Sequence, residues 1–220
     1  MLALLLALLC TPSLDALVAR VTKAYGGAAA LARIHAVRET GTLESPRGVA
    51  QTVRIFAPPD RLRVDIRYPD GSGEQRVLSG PDAWRNGEPV QGPPRDAMIL
   101  QAARLDLPFL LIRRRDRLVD LGPLHRDGKT LRGIGVPLSP TLQLAVGVDE
   151  VSGLVVHSEG QLPSPGGPVR FATRYSDFRA VHGVLFAFGE SNFASGQHTG
   201  ETRLANIELL DALPDGALAP

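Results

Sequence analysis

The chain is 220 residues long, with 24 basic and 23 acidic residues and a formal net charge of +1. A near-neutral chain lacks the basic surplus of a nucleic-acid binder, and 44% hydrophobic with 21% charged residues exclude disorder as the main state. Its one cysteine, Cys10, excludes an internal disulfide and a cysteine-based zinc site.

Met1 to Leu9 is an unbroken apolar run followed by Cys10, Thr11, Pro12 and Ser13. Nine helical residues reach about 13 Å, far less than a bilayer core of about 30 Å. The run fits the apolar part of an export signal, expected over 1–12, although the basic start of such a signal is missing. That gap is consistent with a true start upstream of Met1. Two readings of Cys10 stand: a lipid anchor exposed by cleavage, or a small hydrophobe inside a plain signal. Leu9 before it departs from the small residue of a lipoprotein signal.

Residues 13–220 read as a single domain. Ser13 is placed as an N-cap, with Asp15 in the first turn and Leu14, Leu17, Val18, Val21 and Tyr25 at helical spacing. Gly26-Gly27 ends that helix, and Ala28 to Ile34 forms a second short piece. The period then changes to two. Leu62, Val64, Ile66 and Tyr68 alternate with charged residues, and Leu142, Leu144, Val146 and Val148, and again Val169, Phe171, Thr173 and Tyr175, alternate with polar or small ones. Turn signals such as Asn86-Gly87 and Asp127-Gly128 lie between such runs. The spacing predicts about ten or eleven antiparallel strands and a mostly β, α+β chain.

One stretch breaks the β pattern. Met98, Ala102, Leu105, Phe109 and Ile112 form a helical stripe between Arg95 and Leu118, which Pro108 must interrupt. Arg113, Arg114, Arg115 and Arg117 close it, as suits a helix C-terminus.

Motifs that would signal catalysis fail on spacing or context. Gly189-Glu190-Ser191-Asn192-Phe193 lacks the second glycine of a nucleophile elbow, and no histidine follows Asp211. Gly122 to Thr130 has one residue too many for a phosphate loop and leads into a strand. The five histidines are scattered. The sequence therefore names no catalytic residue, no metal ligand and no cofactor.

A curved sheet must have its inner face covered, and only the two helical regions can cover it. The interior is either packed solid or leaves a hollow for an apolar ligand. For the hollow, the candidate lining is Val64, Ile66, Trp84, Met98, Leu105, Phe109, Ile112, Leu144 and Phe171.

Several segments, taken in order, resemble the periplasmic outer-membrane lipoprotein carrier and sorting family (LolA-like). They are Tyr25-Gly26-Gly27 with Gly41-Thr42-Leu43, Ser79 to Gly87 around Trp84, Asp149 to Leu154, Tyr175 to Gly183, and Ile207 to Asp211. The resemblance implies a half-open antiparallel β-barrel with a helical lid over an apolar cavity. It implies a periplasmic monomer that binds lipid or lipoprotein acyl chains without catalysis, with other envelope proteins as further partners. The competing reading is an envelope interaction domain with a packed barrel and no ligand.

Overall fold

The computed structural model describes residues 12–220. The export segment expected at 1–12, with Cys10, lies outside the described residues except for Pro12.

Ser13 caps α1 (Leu14–Ala24) as expected: its hydroxyl accepts from the Ala16 N–H at 3.2 Å. This satisfies one of the amide groups that a helix start leaves without a partner. Leu17, Val18 and Val21 face inward. Tyr25 ends the helix and pins it to the sheet. Its hydroxyl accepts from the Val155 N–H at 3.1 Å, and its carbonyl accepts from Leu185 at 3.3 Å. A short helix, α2 (Ala28–Leu31), follows.

Six strands then run as a meander: β1 (Ala36–Ser45), β2 (Gly48–Ala57), β3 (Arg61–Arg67), β4 (Gly73–Ser79), β5 (Asp82–Arg85) and β6 (Glu88–Pro89). Next come α3 (Pro93–Leu105), α4 (Phe109–Arg113) and a 3₁₀ turn at Arg115–Arg117. A second meander closes the chain: β7 (Val119–Arg126), β8 (Lys129–Pro137), β9 (Gln143–Val148), β10 (Val155–Leu162), β11 (Val169–Val181), β12 (Val184–Ala194) and β13 (Gln197–Leu210).

β1 pairs with β13, so both meanders form one antiparallel sheet of 13 strands. β6 and β7 lie at its two edges, so the barrel is open. The sequence-based count of ten or eleven falls short because strands as brief as β6 carry no readable alternation. Asp127 and Gly128, both at positive φ, make the expected hairpin turn between β7 and β8.

The predicted helix is broken in the expected place. α3 stops at Leu105, and Pro108 sits at the start of α4. α3 does not present a single apolar stripe: Met98, Leu100, Ala102 and Ala103 are all buried. It lies inside the concavity and is covered on more than one side. α4 buries Phe109, Leu110 and Leu111, and the Phe109 ring stands 6.0 Å from that of Phe186. Each such side chain contributes roughly 2–3 kcal/mol on burial. One hydrophobic cluster joins Leu17 and Val21 of α1, Met98 of α3 and Leu111 of α4 to Leu62, Leu78, Ile134 and Leu144 of the sheet.

The β1–β13 seam slips register between Thr40 and Gly41. A Cβ on Gly41 would fall 2.2 Å from the Arg203 carbonyl oxygen, so the strands can approach only if this residue is glycine. Gly41→Ala should destabilise the fold by about 2 kcal/mol or more, read as a lower urea midpoint at unchanged slope.

Candidate functional site

The strand register sets a row of charged residues across the inside of the barrel. Glu39, Arg54, Val64, Arg76 and Arg85 are cross-strand neighbours in order from β1 to β5. On the other side of the seam, Leu43, Thr202, Glu190 and Tyr175 are neighbours from β1 through β13 and β12 to β11.

Where the two rows meet, Arg54 is shared by two carboxylates. Its Nε donates to Glu39 at 2.7 Å, and its Nη atoms donate to Glu190 at 2.7 and 2.9 Å. All three residues are buried, at 5–8% exposure. Burial alone would lower the Arg54 pKa, but the two carboxylates outweigh it and keep the guanidinium charged. Burial pushes the Glu39 carboxyl up to about 7; Arg54 opposes that rise and the Glu190 charge adds to it. Two carboxylates on one guanidinium leave a surplus negative charge, so below about pH 7 Glu39 holds a proton and above it the group carries that charge.

α3 brings two polar residues onto this surface. Gln101 accepts from Arg76 at 3.0 Å, and Arg76 and Arg85 both pair with Glu74, at 2.8 and 2.7 Å. Arg104 donates to the Thr173 hydroxyl at 3.0 Å; that hydroxyl donates in turn to Asn192 Oδ1 at 2.9 Å. Tyr175 and Ser158 share a hydrogen bond of 2.8 Å beside it. Burial lowers the Arg104 pKa.

Two hollows remain between α3 and the sheet, of about 230 and about 280 Å³. They share Arg76, Gln101, Arg104 and Phe171 as walls. Each lies just under the roughly 300 Å³ where ligand pockets usually begin, but they adjoin. The first is bordered by Ala97, Met98 and Leu100; the second takes in Leu43, Val64, Ile66, Leu105 and Phe193 beside Arg54, Glu190 and Asn192. A third hollow, of about 30 Å³, lies between Arg104, Leu105, Leu107 and Phe186.

Of the nine candidate lining residues, Val64, Ile66, Leu105 and Phe171 come together around the larger hollow, and Met98 joins Phe171 at its neighbour. Trp84, Phe109, Ile112 and Leu144 line none of these hollows. Phe109 and Leu144 are buried in the packed core, Ile112 packs against it, and Trp84 stands between Val77 and Pro89 in the β4–β6 hairpins.

The polar members, Glu39, Arg54, Arg104, Thr173, Glu190 and Asn192, escaped sequence reasoning. A signal was present for two of them. Arg54 has the strand parity of Ala50 and Phe56, and Glu190 that of Phe186 and Phe188, all buried. Asp177 accepts from Arg179 at 2.6 Å. Arg115 of the arginine run ties to Asp15 at 2.6 Å, an exposed pair that adds little stability. Ser191 lies inside β12, not on a strand–helix turn. Among the described residues no group of three or more His, Cys, Asp or Glu side chains is placed to hold a metal ion.

An open antiparallel barrel with its helices laid inside the curve, over residual hollows, defines the class of this protein. Its fold is similar to that of solved LolA-like structures. The LolA superfamily protein NE2245 from Nitrosomonas europaea superposes with a TM-score of 0.61 at 12% identity, over 96% of this chain and 99% of that one. A putative outer membrane lipoprotein-sorting protein domain from Vibrio parahaemolyticus gives 0.52 at 9% identity, over 84% and 89%. At such identities the likeness establishes the fold, and it agrees with the resemblance read from the sequence. No family profile matches the chain, and no curated protein sequence does.

Arg54→Met should cost about 3–5 kcal/mol in urea unfolding, because it strands two buried carboxylates. Unfolded, Glu39 titrates near 4.5; folded, it keeps its proton to about 7. Its contribution to stability is therefore complete below 4.5 and lost as pH rises through about 7. Glu39→Gln should flatten the fall in unfolding free energy across that window.

Proposed function

We propose that the protein is a non-enzymatic binder of lipid or lipoprotein acyl chains in the cell envelope. It is exported, and residues 13–220 act as one domain. The observation that carries this reading is the pair of adjoining hollows held open beneath α3, with Val64, Ile66, Met98, Leu105 and Phe171 on their walls. The LolA-like architecture supports it, since one superposed structure is a putative outer membrane lipoprotein-sorting protein domain.

α3 is the moving part in this proposal. Few polar bonds tie it to the sheet: Arg95 to the Pro81 and Gly80 carbonyls at 2.8 and 3.2 Å, Arg76 to Gln101, Arg104 to Thr173, and the Tyr175 hydroxyl to the Arg104 carbonyl at 3.5 Å. A breathing displacement of α3 merges the hollows and admits a chain. Trp84, Phe109, Ile112 and Leu144 then serve as the packed surround of the opened cavity. Each buried methylene contributes roughly 0.8 kcal/mol, so a long chain gains on the order of 10 kcal/mol before entropy is charged against it. No catalytic group is required.

Delipidated protein should bind a fluorescent fatty acid, and native mass spectrometry of protein taken directly from cells should show co-purifying lipid. Ile66→Trp, which fills the larger hollow from a partly buried position, should weaken probe binding about tenfold at unchanged melting temperature. Absence of both co-purified lipid and probe binding transfers the function to the alternative, a barrel that serves as an envelope interaction domain.

A further inference from the structure

The charges around the two hollows fall into groups that do not cancel. Glu74 faces Arg76 and Arg85, which leaves one positive charge; Arg54 faces Glu39 and Glu190, which leaves one negative charge. Those groups balance each other. Arg104 remains, and it has no acidic partner among the described residues. A guanidinium carries five N–H donors, and here only one Nη1 bond, to Thr173, is made to an acceptor. Uptake of a proton by Glu39 makes the surplus more positive.

Arg104 borders all three hollows. Arg104 Nη1 is held by the Thr173–Asn192 relay, and among the described residues its Nε and Nη2 have no hydrogen-bond acceptor. An unpaired cation in such a place is costly unless an anion meets it. A planar carboxylate takes two parallel N–H bonds from one guanidinium edge, which suits the edge left open.

We infer that the cavity selects a single-tailed amphiphile with a carboxylate head, a long-chain fatty acid, whose head meets Arg104 and whose tail runs along Met98 and Phe171. This rests on the acyl-binding reading and specifies its ligand. Both hollows carry polar side chains, but the larger is the more polar of the two and so receives the head. Its neighbour offers an apolar side formed by Ala97, Met98, Leu100 and Phe171, which receives the tail. Hollows of about 230 and about 280 Å³ are small for ligand pockets, which favours one acyl chain over two. One surplus positive charge matches one carboxylate.

The test is a titration of delipidated full-length protein with three ligands of equal chain length: hexadecanoate, its methyl ester and the lysophosphatidylglycerol of the same acyl chain. It is run at mildly alkaline pH, where the carboxylate is ionised. Hexadecanoate should bind about tenfold or more tightly than the methyl ester, the scale of one charge-assisted contact. Arg104→Gln should bring the two to parity, and Arg104→Lys should restore part of the preference. The ligand series on the native chain decides the matter even if Arg104→Gln folds poorly. Equal binding of acid and ester overturns the carboxylate assignment and leaves acyl binding standing. Tighter binding of the lysophospholipid also overturns it and moves the head to a phosphodiester. Failure of all three ligands to bind removes the acyl-binding reading itself.

Discussion

An open sheet of this length has an inner face that cannot be left to water. That single constraint explains why the two meanders are joined through helices that fold back into the curve. α1, α3 and α4 supply Leu17, Val21, Met98, Phe109 and Leu111 to the sheet's Leu62, Leu78, Ile134 and Leu144. Without that cover the strands would expose their apolar register, and one half would be held to the other by the β1–β13 seam and the Arg54–Glu190 pair across it.

The cover is incomplete, and what it leaves is polar as well as apolar. Arg54 is bonded by two carboxylates and is spent on structure. Arg104 is held in position by a hydroxyl and keeps its charge for something else. The difference between these two arginines separates the part of the interior that holds the barrel together from the part that can receive a ligand. The same low dielectric makes the first group costly to break and the second attractive to an anion.

Much of the architecture is legible along the chain. Period-two alternation marks β3, β9 and β11, positive-φ turn residues mark the hairpins, and Pro108 marks the break between α3 and α4. The brief edge strand β6 is not, because two residues have no period. α3 misleads as well: one stripe, Met98 to Ile112, reads as its buried side, yet Leu100 and Ala103 off that stripe are buried too, and Gln101 and Arg104 turn to the sheet.

Local order in the sequence determined the kind of element at nearly every position, since strand and helix periods, caps and turn residues act over a few neighbours. It also determined that the cover would come from two helical segments. Only the tertiary structure decided which charges meet. Glu39 and Arg54 are 15 residues apart and Arg54 and Glu190 are 136 apart, so their union depends on strand register across the seam. The hollows, too, belong to the assembled molecule. They are the difference between the curve of the sheet and the bulk of a helix laid inside it, and no single segment carries that difference.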